Sequence, residues 1–589
     1  MLLLAALLAC SDGTDDPVTL VEVPTGATGD TAPGEGFAIV DRAVEGSLQD
    51  DAFGTFKRGR GCTVSDLDLD GDLDLVLANP ADASYVALND GGRFSPGPIL
   101  DGSELIWSVS AADYDGDGDE DLFLAVGGLE GIGHDRLLRN DVVPDGVLSF
   151  TDVTAEAGVS GPLPEMEGYD DPVTVASLGG TWVDYDGDAD LDLWVDTTPW
   201  PKFWEPNIPQ GTVVGRNQLW ANDGAGHFTD VAVDVGLGNQ ASSRYSSWID
   251  IDGDGDLDLF ENNKDTRFNV LYRNDGGTFV DITEDFGLEG ADLRYPLETF
   301  ATAAGDANHD GWDDLLLFVR GIATEGPFLE GHVLWLNAQG RGFVDVTGPS
   351  NLNDPFYDGF RDHLSNGVMG ATFRDLDGDG LLDVFAGNGG PGAGYPNMVA
   401  HAVRLESMDL GPEAGVLDVP VFEDWSPLFQ FEAEQDPSTD AVYPSYPYRT
   451  HAGCVADLSG DGAVELYVMN GGMSWVGGDA VKEPNRWFEV VQSPAPGFVH
   501  VSLVGDGVTV PPTPVGSRIE LVLEDADGSQ RSVWDTLRTS TGFAAQHGTR
   551  RTLGSGQAVR VVALRIHWSD GTTTERTDVA LGDSVVVER

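Results

Sequence analysis

Residues 66–74 read Asp66-Leu67-Asp68-Leu69-Asp70-Gly71-Asp72-Leu73-Asp74, with acids at positions 1, 3, 5, 7 and 9 and a glycine at position 6. The pattern returns six times. Asp113, Asp115, Asp117 and Asp121 carry it next, then Asp184, Asp186, Asp188 and Asp192, then Asp250, Asp252, Asp254 and Asp258. The later copies hold Asp306, Asn308, Asp310 and Asp314, then Asp375, Asp377, Asp379 and Asp383, and last Asp457, Ser459, Asp461 and Glu465. Their first positions lie 47, 71, 66, 56, 69 and 82 residues apart. A unit of that length suits one four-stranded propeller blade with its loops, and seven copies predict seven blades.

The spacing has a chemical reading. Calcium takes six to eight oxygen ligands at about 2.3–2.6 Å. A tight loop aims side chains 1, 3 and 5 at one point, glycine at position 6 allows the sharp turn, and position 9 closes the shell. Position 7 is Asp72, Asp119, Asp190 or Asp256 in four copies but Trp312, Leu381 or Ala463 in the others, so its expected ligand is the backbone carbonyl. Positions 1, 3, 5 and 9 offer a side-chain oxygen in every copy. About seven Ca2+ sites are expected, the third distorted by Ala189 at position 6. These are not EF-hands, which need Glu at position 12 and flanking helices. Position 12 is Leu77, Leu124 and Val195 in the first three copies, and the exits are short apolar runs of buried strands. Each loop is therefore expected to join two strands.

A second phrase follows most loops. Asn217-Gln-Leu-Trp-Ala-Asn-Asp223-Gly precedes Phe228, and Asn269-Val-Leu-Tyr-Arg-Asn-Asp275-Gly precedes Phe279. Asn-Asp-Gly between alternating runs marks a hairpin turn. Leu219, Trp220, Leu271 and Tyr272 are expected to pack between blades. Two hairpins make one blade, and repeating blades radially leaves only short, protected edges.

The acids dominate the charge as well. Asp and Glu total 100 against 31 Lys and Arg, a formal net charge of -69. Loop positions 1, 3, 5, 7 and 9 hold 30 of those acids, more than a solvated surface alone accounts for. Such a chain repels nucleic acid and anionic membranes. It has no apolar run long enough to span a bilayer. The opening Met1–Ala9 is almost wholly apolar, and Leu7-Leu8-Ala9-Cys10 resembles the lipobox of bacterial lipoproteins, which makes Cys10 a lipidation candidate and residues 1–10 an export leader. The leader is short and lacks a basic start. Residues 11–49 read as a flexible acidic tether, 50–484 as the repeat region, and 485–589 as a separate β domain.

Besides Cys10 there are only Cys62 and Cys454, each on the strand entering a loop, in the first and last copies. They lie four and three residues before their loops, on opposite strand faces. That parity predicts two separate, buried, free thiols and a ring closed by strand pairing and packing alone.

These repeats resemble the FG-GAP or VCBS repeats of integrin α-subunit heads and of bacterial surface proteins. The end of the chain carries Val515-Gly-Ser-Arg518, Ser540-Thr-Gly-Phe543-Ala-Ala-Gln546, Thr552-Leu-Gly554 and Trp568-Ser-Asp-Gly571. It resembles the ASPIC/UnbV domain of cartilage acidic protein relatives, with Ser569 where the family usually has Pro. The calcium-binding epidermal-growth-factor-like module of animal members is absent, which implies a bacterial member. Read on its own residues, this region predicts strands over 499–504, 518–523, 559–568 and 584–587, a small sandwich-like domain. The fold expected is all-β, a seven-bladed calcium-binding propeller followed by that domain.

No nucleophile elbow, phosphate loop, zinc-protease motif or dinucleotide fingerprint occurs. The expected function is extracellular or cell-surface binding or adhesion, with a protein or glycan recognised through the propeller face. A structural or accessory envelope role is the alternative. A carbohydrate-active or other hydrolytic enzyme is a further one, with its site in an insertion such as 197–214 or 404–449, where Trp425, Phe429 and Phe431 cluster.

Overall fold

A computed structural model of the chain describes residues 37–41, 60–79, 83–101, 106–127, 134–159, 175–199, 216–239, 242–264, 269–286, 288, 297–321, 331–352, 368–389, 397–412, 414–426, 428–429, 450–473, 480–481, 485–492, 495–540, 542 and 544–589. The leader, Cys10, most of the tether, most of the insertion 197–214 and Phe431 lie outside the described residues.

The fold is nearly all β. Each acidic loop joins the first two strands of one antiparallel sheet, and in the first six sheets the Asn-Asp-Gly phrase or its counterpart joins the last two. The first sheet runs Gly61–Ser65, Asp74–Ala78, Ser84–Asn89, Phe94–Asp101, and the second Ile106–Ala112, Asp121–Val126, Arg136–Asn140, Phe150–Asp152. The pattern holds through the sixth, Val368–Arg374, Asp383–Asn388, Met398–Asp409, Val416–Asp424. The loop-bearing sheet after it is built from Thr450–Ala456, Glu465–Asn470 and Arg486–Gln492, and its fourth strand comes from the other end of the chain, Phe37–Asp41. Residues 37–41, inside the stretch read as a tether, are thus the outer strand that completes this sheet. Its third strand also runs past position 484, where the repeat region was expected to end.

Consecutive sheets are joined side by side. In five sheets the asparagine ending the third strand donates its side-chain N–H to the carbonyl at loop position 2 of the preceding sheet. Asn140 reaches Leu67 at 2.9 Å, Asn274 reaches Tyr185 at 2.7 Å and Asn337 reaches Ile251 at 2.9 Å. Asn89 of the first sheet reaches Leu458 of the last at 2.7 Å, so the series closes on itself. Apolar side chains fill each gap. Trp182, Leu219, Trp220, Phe228, Trp248, Tyr272 and Phe279 share one cluster, as the hairpin phrase predicted.

The expectation of two free thiols is overturned. Cys62 and Cys454 form a disulfide with Cα atoms 6.1 Å apart. Opposite strand faces bar pairing only where like faces meet, and around a ring they are its condition. Each sheet turns one face to the next sheet and the other to the previous one. Cys62 and Val64 of the first sheet meet Ala452, Cys454 and Ala456 of the last, while Val455, on the reverse face, meets Leu376 and Phe385 of the sixth. Both cysteines are buried, as expected. The bond closes a separation of 392 residues. Chain entropy sets its ceiling near 6 kcal/mol, and disulfides typically deliver about 2–4. A Cys62→Ser, Cys454→Ser double variant is expected to lose about 3 kcal/mol, read from guanidinium unfolding midpoints. An unchanged midpoint would show that strand pairing alone holds the seam.

The C-terminal region is a two-sheet sandwich. One sheet is Gln530–Thr536, Arg518–Glu524, Arg560–His567, Thr573–Arg576, the other Arg551–Gly556, Gly497–Val504, Ser584–Glu588. Val499, Val501, Ile519, Leu521, Leu564, Ile566 and Trp568 fill the space between. The connection from Thr536 to Arg551 leaves the sandwich and enters the ring. Ala545–Gln546 pairs in parallel with Cys62 and Thr63. The Gln546 side chain bonds both N–H and C=O of Ala111, at 2.7 and 2.8 Å. Thr539 does the same for Trp182, 2.9 Å each, and Val455 N–H donates to His547 at 2.9 Å. Arg538 pairs with Asp313 of the fifth sheet.

Candidate metal centres

All seven loops share one backbone. Positions 4 and 6 adopt positive φ in each: Leu69 and Gly71 in the first, Gly187 and Ala189 in the third, His309 and Gly311 in the fifth. Position 6 was legible from its glycines. Position 4 was not, because Leu69 and His309 stand there among glycines. Ala189 keeps the shared conformation at φ 73°, so the distortion expected of the third loop is not seen in its backbone.

The position-1 carboxylate holds this turn. Asp113 accepts the N–H of Gly116 at 2.8 Å and of Gly118 at 3.1 Å, and Asp375 accepts Gly378 at 2.7 Å and Gly380 at 2.9 Å. The position-9 carboxylate ties the loop to the sheet. One oxygen of Asp74 accepts Leu67 N–H at 3.1 Å and the other Asn89 N–H at 2.8 Å. Asp258 does likewise with Ile251 at 2.8 Å and Asn274 at 2.7 Å. Position-7 acids turn away from the loop centre. Asp72 accepts Gly91 N–H at 2.8 Å, Asp119 accepts Val143 at 2.8 Å and Asp256 accepts Gly276 at 3.1 Å. That orientation is why Trp, Leu or Ala can stand at position 7 elsewhere.

What remains faces inward without a partner. Asp66 Oδ1, Asp252 Oδ1 and Asp310 Oδ2 are buried and make no hydrogen bond among the described residues. Ligand atoms of Asp66, Asp68 and Asp70, of Asp113, Asp115 and Asp121, of Asp184, Asp186 and Asp192, and of Asp250, Asp252 and Asp254 each lie within 4.8 Å of one another. Burial, reinforced by neighbouring carboxylates, pushes Asp113 and Asp184 up to about 7, Asp258 to about 8 and Asp192 to about 9. Clustered, desolvated carboxylates with orphaned oxygens fit a hard divalent cation held by oxygen, which restores the ionised form.

The last two loops differ. In the sixth, His401 Nδ1 lies 2.9 Å from Asp383 Oδ1. In the seventh, His500 Nε2 lies 3.2 Å from Asp457, and Glu489, buried, stands opposite Glu465 in the strand register. Sequence spacing could not reach these three residues, which come from other strands. The C-terminal domain packs on this loop-bearing end. Arg550 reaches the carbonyl of Gly71 at 2.8 Å, and added Cβ atoms on Gly378 and Gly462 would meet Pro496 at 2.6 Å and Phe498 at 1.9 Å. No helix among the described residues is long and apolar enough to cross a membrane. Of the aromatic insertion, Trp425 and Phe429 are buried with Phe385 and Phe488, and so are core rather than surface.

Comparison with known proteins matches two family profiles to parts of the chain. The profile of FG-GAP-like repeats matches residues 66–124 and 250–317, and that of ASPIC and UnbV matches 507–589. Cartilage acidic protein 1 of Mus musculus is 24% identical over 437 residues, covering 70% of this chain and 57% of its own length. The chain thus matches little more than half of that relative. Among solved structures, an Agrocybe aegerita lectin that recognises non-reducing terminal N-acetylglucosamine aligns at TM-score 0.36 and 16% identity, over 63% of this chain and 81% of its own. The extracellular domain of a putative hybrid two-component system from B. thetaiotaomicron aligns at TM-score 0.35 and 8% identity, over 90% of this chain and 56% of its own.

Proposed function

We propose that this chain, in which FG-GAP-like repeats lead into an ASPIC and UnbV domain, is an extracellular or cell-surface binding protein whose ring is held in shape by about seven calcium ions. The observation that carries the reading is the loop itself. One backbone, built seven times, gathers desolvated carboxylates, and in several of the loops it leaves buried oxygens unpaired. The ligands in this reading are the side chains at positions 1, 3, 5 and 9 and the carbonyl at position 7. The compartment follows from two supports. Calcium modules outside cells bind with dissociation constants of about 10⁻⁴–10⁻³ M. The Cys62–Cys454 bond needs an oxidising environment. Export through Cys10 belongs to the same reading.

The C-terminal domain packs on the loop-bearing end, which leaves the opposite end of the ring to meet a partner. There the second strand of each sheet runs into the third, and each sheet into the next. The partner is a protein or a glycan rather than a polyanion, given the net charge of -69. The test is binding of the full chain to glycan and extracellular-protein arrays, in calcium and in chelator, beside metal analysis of the purified protein. Saturable, calcium-dependent binding with five or more calcium ions per chain is expected. Fewer than three ions, or binding indifferent to chelator, would sink the reading.

A further inference from the structure

The sixth loop has a feature that the oxygen-only loops lack. In five sheets the third-strand asparagine donates its backbone N–H to the position-9 carboxylate, and in the sixth Ala402 does so at 2.8 Å. The residue before it is His401. Its counterparts in those five sheets, Leu88, Arg139, Ala221, Arg273 and Leu336, offer no metal ligand.

His401 is held from two sides. Its Nδ1 lies 2.9 Å from Asp383 Oδ1, and its ring stacks on Trp425 with centroids 3.7 Å apart. The residue is 9% exposed. Nε2 consequently faces the loop, 3.9 Å from Asp377 Oδ2, an oxygen that also accepts the side-chain N–H of Gln492 at 2.8 Å. Ligand atoms of Asp377, Asp379 and His401 fall within 4.8 Å of one another. An imidazole whose one N–H is fixed by a carboxylate and whose other nitrogen points at carboxylates has the arrangement of a metal-bound histidine. Zinc bonds to nitrogen and oxygen run about 2.0–2.2 Å, so one ion between Nε2 and Asp377 can touch both. Calcium prefers an all-oxygen shell, whereas imidazole favours zinc and its neighbours.

We propose that the sixth loop is a mixed nitrogen–oxygen site for a divalent transition ion of the zinc class, with Asp377, Asp379 and His401 Nε2 as ligands and Asp383 orienting the imidazole. The proposal rests on the reading of the other loops as calcium sites. The rival is that His401 stays doubly protonated and its own charge stands in for an ion.

The experiment uses the full chain, stripped of metal and returned to excess calcium with a small excess of zinc, then freed of loose metal and analysed for both. One zinc per chain held against calcium is expected. His401→Gln removes a direct ligand and should weaken it by more than the about 10–100-fold that losing a ligand-orienting residue costs, while the calcium count stays the same. Cobalt(II) in place of zinc should give visible d–d bands that disappear in the variant. Nitrogen-15 spectra of the unaltered protein serve if His401→Gln fails to fold, with zinc expected to shift Nε2 and leave Nδ1 protonated. No zinc held in calcium, zinc unchanged in His401→Gln, or an imidazole still doubly protonated with zinc present would each overturn the proposal. The calcium count in the same sample speaks to the other loops, so the two failures are told apart.

Discussion

Chelation is expected to lower the melting temperature of this protein by about 15 °C. A site filled at a hundred times its dissociation constant adds about 2.7 kcal/mol, or about 19 kcal/mol over seven sites. A chain of this size has an unfolding entropy near about 1.2 kcal/mol/K, and the ratio sets the shift. Seven divalent ions would also change the formal charge from -69 to -55, since each adds two. The ion-free protein should show an inverted pH dependence. Burial raises Asp74 to about 7, Asp258 to about 8 and Asp192 to about 9 in the folded state. A carboxyl with a raised folded pKa binds more protons folded than unfolded. Its contribution is therefore fullest below the unfolded pKa near 4, and falls as pH rises toward 7–9. The ion-free melting temperature should decline from pH 5 to pH 9, whereas the calcium form should hold or gain, because calcium binds the ionised loops and releases their protons. Calorimetry across that range, with and without chelator, decides. A melting temperature indifferent to chelator, or an ion-free form that gains stability with pH, would contradict the account.

The parts legible in advance were the periodic ones. Acids at fixed spacing gave the loops, the Asn-Asp-Gly phrase gave the hairpins, and alternation gave four of the sandwich strands. What stayed hidden depends on neighbours distant in the chain. Asn140 reads as a turn residue until the preceding sheet brings the Leu67 carbonyl to its side chain. Phe37–Asp41 reads as polar linker because its pairing partner lies at Phe488–Gln492. The cysteine pairing stays hidden for a geometric reason: strand parity excludes it only where equivalent faces meet, and a ring presents the front of one sheet to the back of the next. His401, Glu489 and His500 join loops from other strands, so no spacing rule finds them. Ser540–Gln546 is legible as a family motif, but the place of Ala544–Gln546 against the inner strands of the ring belongs to the tertiary structure.

That place makes the second large effect. The ring is expected not to fold as a stable unit without its C-terminal domain, and a chain ending at residue 494 should lose its cooperative melting transition. Removing the domain takes away the partners of Ala111, Trp182 and Val455 on three innermost strands at once. It removes Ala545–Gln546 from the edge of the first sheet. It leaves Arg374 without Asp535, which it meets at 2.9 and 3.0 Å, and Asp313 without Arg538. It also uncovers Leu178 and Tyr245, which pack with Ala544. Point variants should reproduce part of this. Gln546→Ala strands two buried backbone groups of Ala111, and at about 1–3 kcal/mol for each unpaired group the expected cost is about 2–4 kcal/mol after local relaxation. Gly542→Ala should cost at least as much. Gly542 has φ 59°, and a Cβ there would lie 2.1 Å from the carbonyl oxygen of Ala371. That neighbour is backbone of an inner strand and cannot swing aside. Both variants should lower one shared calorimetric transition, because the segment touches sheets all around the ring and couples them to the sandwich. Two separate peaks in the unaltered protein, or a truncated chain melting where the full chain does, would show that the ring stands without its plug.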